Sequence, residues 1–142
     1  MPRYKSKTWV TWLALLGGSL GLHRLYLWGP KDRWAWLFPL PTLLGAYGVH
    51  RARTLGLDDP WSWLLIPLLG FMLAGTMLSA IVVGLTSDDA WNARFNPGPG
   101  RQHRSGWWTV IGVIFALALG ATALTATLAF SVQRGFEYQA QR

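Results

Sequence analysis

Cysteine is absent from the 142 residues, which removes disulfide frameworks, thiolate metal sites and cysteine nucleophiles. Charge is scarce: 13% of residues are Asp, Glu, Lys or Arg, where a soluble domain carries about a quarter. Only six residues are acidic, and histidine occurs only as His23, His50 and His103. No carboxylate pair lies within an apolar run, and no nucleophile constellation or phosphate-cradling glycine loop is present. These missing parts argue against an enzyme, and no cofactor is expected. What the chain does have is apolar surface: 51% of residues are hydrophobic, mean hydropathy is +0.24, and the apolar residues gather into long charge-free runs. That pattern points to lipid.

No ionisable side chain lies between Asp59 and Asp88 or between Arg104 and Arg134. Segments 61–85 and 107–132 therefore each read as a helix long enough to cross a hydrocarbon core of roughly 30 Å. The uncharged runs 8–22 and 34–49 hold 15 and 16 residues, about 22–24 Å of helix. They read as two short membrane helices joined by the polar stretch 23–33, with the turn at Gly29-Pro30. The expected fold is an all-α integral membrane protein of about four transmembrane helices at 8–27, 33–50, 61–85 and 107–132. Residues 1–55 form a hairpin and 56–132 a second helix pair with an extended polar loop at 86–106. Residues 133–142 form a polar tail. Arg3, Lys5 and Lys7 before an apolar run also resemble a secretory leader, but Gly17 and Gly18 break that run and it leads into His23-Arg24 rather than a small-residue cleavage site.

Nine of the ten tryptophans fall near expected span ends, where an indole buries its ring and keeps its N–H near water; Trp91, in the polar loop, is the exception. Four spans put both termini on one side. That side carries seven basic residues against six opposite, which does not choose an orientation. The N-terminal tail, with Arg3, Lys5, Lys7 and no acid, resists translocation and places the termini in the cytoplasm. The runs Trp34-Ala-Trp36-Leu37 and Trp61-Ser-Trp63-Leu64 echo each other and hint at a repeat, although the sequence that follows diverges.

The most distinctive chemistry lies in 17–29, Gly-Gly-Ser-Leu-Gly-Leu-His-Arg-Leu-Tyr-Leu-Trp-Gly. An arginine within hydrocarbon costs roughly 2.5–3.5 kcal/mol even on lenient scales, so Arg24 must snorkel, find a partner or cap its helix. Gly18, Gly21, His23, Arg24, Tyr26, Leu27 and Gly29, with the glycine-rich 42–49, resemble the TM-two domain, two short membrane helices joined by a tight loop. Leu25 stands where that family usually has Phe, Trp28 adds a residue before the glycine, Thr54 falls near the place where an Asp commonly closes the domain, and Pro39 and Pro41 should kink or interrupt the second helix. The resemblance covers about 5–55 and implies a membrane hairpin without a shared enzymatic activity. Within it Gly21, His23, Arg24, Tyr26 and Gly29 shape the turn.

Small residues mark expected helix contacts: Gly17 with Gly21, Gly75 with Ser79, and Gly112, Ala116 and Gly120 along one line. In the loop, Asp88, Asp89 and His103 are metal-ligand types at a spacing that fits no compact site. Arg101, Arg104, Trp107 and Trp108 suit lipid headgroups. His23 and His50, at opposite ends of a hairpin, do not suit one shared haem. The expected partners are the lipid bilayer and other membrane subunits or a second copy, with no nucleic acid. The function read from these features is an accessory or scaffold subunit of a membrane complex; the alternative is a small homo-oligomeric transporter or channel.

Overall fold

The computed structural model describes residues 3–142, and among them every regular element is helical. The helices are α1 (Lys7–Gly17), α2 (Leu22–Trp28), α3 (Arg33–Leu37), α4 (Pro39–Leu55), α5 (Pro60–Leu85), α6 (Asp88–Phe95) and α7 (Trp107–Ala140). Two of them, α5 and α7, are long and apolar enough to cross a membrane, with only 17% of their most apolar windows buried. So little burial leaves most of their apolar surface facing outward, with Leu64, Phe71, Leu78, Val82, Ile114, Leu117 and Leu128 all exposed.

α5 is the axis of the fold. α7 lies antiparallel along its whole length, since Gly84 meets Val113, Gly120 meets Met77 and Gly70 meets Thr127. α4 lies antiparallel on the first half of α5, where Gly45 abuts Leu69 and Gly48 abuts Leu65. α1 covers the second half, from Lys7 beside Thr86 to Gly18 beside Thr76. Ala14, Met77, Ala80 and Ala116 form the small core where α1, α5 and α7 meet.

The first expected span is not a continuous helix over 8–27. α1 ends at Gly17, a single 3-10 turn covers Gly18–Leu20, and Gly21, at φ +77°, reverses the chain. α2 then runs back along α1, so that Leu27 packs with Val10 and Lys5 Nζ donates to the Tyr26 and Leu27 carbonyls. The reversal has a local cause. Gly21 takes a left-handed conformation that costs side-chain-bearing residues energy, and an added Cβ there would strike the Ala35 carbonyl. That carbonyl lies four residues before Pro39, which has no N–H to offer it.

α3 and α4 are separated by Phe38 alone, with Pro39 at the first position of α4. The interruption expected from Pro39 and Pro41 is thus one residue long. Residues 33–55 rise about 34 Å at 1.5 Å per residue. Pro67 is carried inside α5 without breaking it.

Three further expectations change. The loop 86–106 contains α6, capped by the Ser87 hydroxyl on the Ala90 amide and begun by Asp88 and Asp89, so it is not extended throughout. The polar tail 133–142 continues α7 to Ala140 instead of leaving it. The termini lie at opposite ends of the α5/α7 pair rather than together. Tyr4 and Lys5 bond His103 and Asn96 at the near end, and Arg134 stacks over Trp63 at the far end.

A leucine at position 45 has no room against the α5 backbone, whereas Gly75 faces open space. Gly45→Leu should therefore cost about 1–3 kcal/mol of stability, and Gly75→Leu less than about 0.5 kcal/mol. Unfolding in detergent measures both; equal losses would contradict the packing described.

Candidate functional site

Two constructions stand out: a clip at the near end, and a corner that occurs twice.

The clip is built on α6. Asn96 Oδ1 accepts the Lys5 amide at 2.8 Å while its Nδ2 donates to the Lys5 carbonyl at 3.0 Å. One turn earlier Asn92 does the same for His103, accepting its amide at 2.7 Å and donating to its carbonyl at 2.9 Å. Two side chains at i and i+4 share one helix face, so each satisfies the backbone of a different extended segment. Trp91 adds its Nε1 donor to the Lys5 carbonyl and buries its ring against Val10 and Leu27. Tyr4 and His103 then join the two segments through the hydroxyl and Nδ1, 3.1 Å apart. His103 Nε2 is buried without a partner among the described residues.

Beside the clip, the buried Lys7 ammonium donates to Asp88 at 2.8 Å and to the Thr86 carbonyl at 2.6 Å. Asp88 also accepts from the Ser105 amide and hydroxyl. Burial works against ionisation of Asp88, yet Lys7 and Ser105 outweigh it and hold the carboxyl well below the usual carboxylate range. Burial pushes the His103 imidazole down, against the pull of Asp88 and with the push of Lys7.

The corner appears between α2 and α3 and again between α4 and α5. Arg24 donates its Nε to Asp32 at 2.8 Å, and Arg51 donates its Nε to Asp59 at 2.9 Å. Each aspartate caps the following helix, on the Trp34 and Ser62 amides. Gly29 and Gly56 share a left-handed φ, +79° and +93°. Each donates its amide to the carbonyl four residues back. Trp36 Nε1 donates to the Pro30 carbonyl at 2.9 Å, and Trp63 Nε1 to the Leu57 carbonyl at 2.6 Å. Arg24, Gly29, Asp32, Trp34, Trp36 and Leu37 recur as Arg51, Gly56, Asp59, Trp61, Trp63 and Leu64 at a constant offset of 27 residues. The two corners lie at opposite ends of α5, so the same device turns the chain in opposite directions. The Arg51 guanidinium and Ser62 hold Asp59 far below the ordinary carboxylate range.

The residues expected at the hairpin turn therefore divide. Gly21 reverses the chain between α1 and α2, and buried His23 meets Phe38 edge-on at 5.5 Å. Arg24 and Gly29 belong to the first corner, and Tyr26 accepts the Ser6 amide at 3.2 Å. Of the packing residues, Gly17 meets only Leu22 in its own hairpin, and Gly112 touches Thr11 and Trp12 of α1. Ala116 is fully buried in the core and Gly120 meets Met77. Gly75 and Ser79 face away from these contacts, joined by the Ser79 hydroxyl on the Gly75 carbonyl. Arg101 stacks over Tyr4, while Arg104, Trp107 and Trp108 are exposed. No group of three or more metal-ligand side chains comes together among the described residues.

The clip residues Asn92 and Asn96 were not among those singled out from the sequence. Their signal was the Ser87 cap followed by two aspartates. Of the contact glycines, Gly45 and Gly48 lie in the glycine-rich stretch 42–49 and Gly84 stands four residues after Ala80 at a small-residue packing spacing, while Gly70 carries no marker beyond being glycine. Compared with known protein families, curated proteins and solved structures, the chain matches none.

Both titrating groups of the clip lose stability on acidification. Burial holds the folded His103 imidazole below its unfolded value, so the unfolded chain binds a proton more readily as pH falls through about 6.5, which favours unfolding. Asp88 contributes stability above its unfolded value of about 4, and that contribution fades as pH falls below it. Melting in detergent should show both declines, the first diminished by His103→Gln and the second by Asp88→Asn, the remainder of the second belonging to Asp59. An undiminished decline between pH 7 and 5 in His103→Gln would exclude the imidazole as its source.

Proposed function

We propose that this chain is a small multi-pass membrane protein that serves as an accessory or scaffold subunit of a larger membrane complex, taking a partner's transmembrane helix on the outer face of α5 and α7. The observation that carries this reading is the open groove between those helices. Phe71, Ala74, Gly75 and Leu78 form one wall, and Leu117, Ala121 and Leu124 line the other. It lies on the face of α5 turned away from α1 and α4, and a Cβ added to Gly75 at its centre would meet nothing within 4 Å. Exposed Ala118, Thr122, Thr125 and Ala129 continue the small surface around α7. In lipid, helices associate by close van der Waals approach, which small side chains allow and which acyl chains fill poorly.

The resemblance to the TM-two domain fits the same reading for residues 5–55. Gly21, His23, Arg24 and Tyr26 each have a definite place in the reversal or the first corner, a structural use that needs no chemistry of its own.

The second reading, a homo-oligomeric transporter or channel, draws on one observation. The turn at Gly18–Gly21, seated on Thr76 of α5, and the break at Phe38, beside His23, both lie inward of the first corner, and interrupted helices within a membrane are a feature of transport pathways. Their polar groups are largely turned inward: the Thr42 hydroxyl donates to the Ser19 and Phe38 carbonyls.

Native mass spectrometry of the protein gently extracted at natural abundance separates these readings. A different polypeptide in fixed ratio supports the subunit reading, and a homo-oligomer moves the weight to transport. Gly75→Leu should then release the partner while the chain stays folded; a partner retained at full ratio would exclude the groove. Gly112→Leu is the control that should fail by unfolding, because Gly112 is filled from within by α1.

A further inference from the structure

The structure regroups the charges of this chain. Residues 3–7 bond α6 and the loop before α7, and α2 returns beside them, with Trp28 edge-on to Phe95 and under Arg94. The N-terminus, the first corner and the whole segment 86–106 therefore lie at one end of α5. The second corner and the C-terminal turns of α7 lie at the other, where Arg134 stacks over Trp63. The near end gathers Arg3, Lys5, Lys7, Arg24, Lys31, Arg33, Arg94, Arg101 and Arg104, nine basic residues, with Asp32, Asp88 and Asp89. The far end holds four, Arg51, Arg53, Arg134 and Arg142, with Asp58, Asp59 and Glu137. Tryptophan divides the same way, with only Trp61 and Trp63 at the far end and the other eight at the near one.

The corners supply depth. Each puts an Arg–Asp pair and two tryptophans together, the composition of a membrane interface. Residues 33–55 run between the two corners over about 34 Å, the thickness of a hydrocarbon core with some tilt. α1 and α2, by contrast, start and finish at the near end. Their reversal meets α5 at Thr76, nine residues from its near end, and α4 at Thr42, nine residues into the segment 33–55.

We propose that the chain enters the bilayer as a re-entrant hairpin (7–28) followed by three full crossings (33–55, 60–85 and 107–132). Its basic end rests on the anionic headgroups of the cytoplasmic leaflet, and its C-terminus lies on the opposite side. Nine basic residues against four orient the chain by the positive-inside rule, where a four-span count of seven against six left it undecided. Irregular backbone at the hairpin tip is tolerated within the bilayer because it is packed against protein: Gly18 on Thr76, Gly21 on Ala35, and the Ser19 carbonyl on the Thr42 hydroxyl.

The proposal rests on the membrane reading above, and the absence of cysteine makes it directly measurable. Single cysteines are placed by Arg3→Cys, Gln102→Cys, Leu57→Cys and Gln141→Cys, all exposed positions. They are reacted with a membrane-impermeant maleimide in right-side-out and inside-out vesicles. Arg3→Cys and Gln102→Cys should label from the cytoplasmic side only, and Leu57→Cys and Gln141→Cys from the other side only. Labelling of Arg3→Cys together with Leu57→Cys and Gln141→Cys would overturn the re-entrant hairpin and restore four crossings. The expected pairs with reversed sidedness would overturn the cytoplasmic assignment. Labelling of all four in both preparations, with extraction by alkaline carbonate, would overturn the membrane reading itself.

Discussion

Everything in this fold depends on how closely other helices come to α5. Membrane helices gain little by hiding apolar side chains from lipid that is equally apolar, so contact must come from backbones that approach until dispersion contacts are dense. The glycines stand where that approach occurs. Gly45 and Gly48 let α4 settle on the α5 backbone at Leu69 and Leu65, while Gly70, Gly84 and Gly120 let α5 and α7 mesh along their length. Gly18 seats the hairpin tip on Thr76. Few large side chains are buried because the interfaces are too thin to hold them, and the buried residues are mostly glycine, alanine and threonine.

Close packing alone does not set the ends of the helices, and polar chemistry does that work at both. The near end is tied by amides: Asn92 and Asn96 each satisfy both backbone groups of a residue that has no strand or helix to satisfy them. The ammonium of Lys7 closes the junction of α1, α5 and α6 by binding Asp88 and the Thr86 carbonyl. The far end is tied by the Arg51–Asp59 pair, which is also a helix cap. The first corner repeats the arrangement at the offset of 27 residues, with its aspartate cap on the Trp34 amide rather than on the Ala35 counterpart of Ser62, which makes it a unit of construction. A capped helix start, braced by an arginine from the preceding helix and sealed by an indole on the turn carbonyl, reverses a chain wherever it occurs.

Many of the polar side chains are spent at the chain's own corners and clip. The open α5/α7 groove and the small face of α7 are the surface least used by the fold itself.

Much of this was legible beforehand. The charge-free stretches marked α5 and α7, because the cost of burying a charge in lipid leaves a gap visible in any linear reading. The line Gly112, Ala116 and Gly120 was legible as a packing face, since helical periodicity alone places it on one side. The Trp-x-Trp-Leu echo was visible too, but its arginine, glycine and aspartate were not connected to it. Their pairing across eight residues has meaning only once a turn brings them together. The sequence by itself determined that there would be apolar helices, where their charged limits fall, and that tryptophans would gather near them. Only the tertiary structure decided that residues 7–28 turn back at Gly21 instead of forming one continuous helix. That outcome depends on Gly21 meeting Ala35, Gly18 meeting Thr76 and Lys5 reaching the end of α2. Such contacts join residues far apart in the chain, and no local periodicity encodes them.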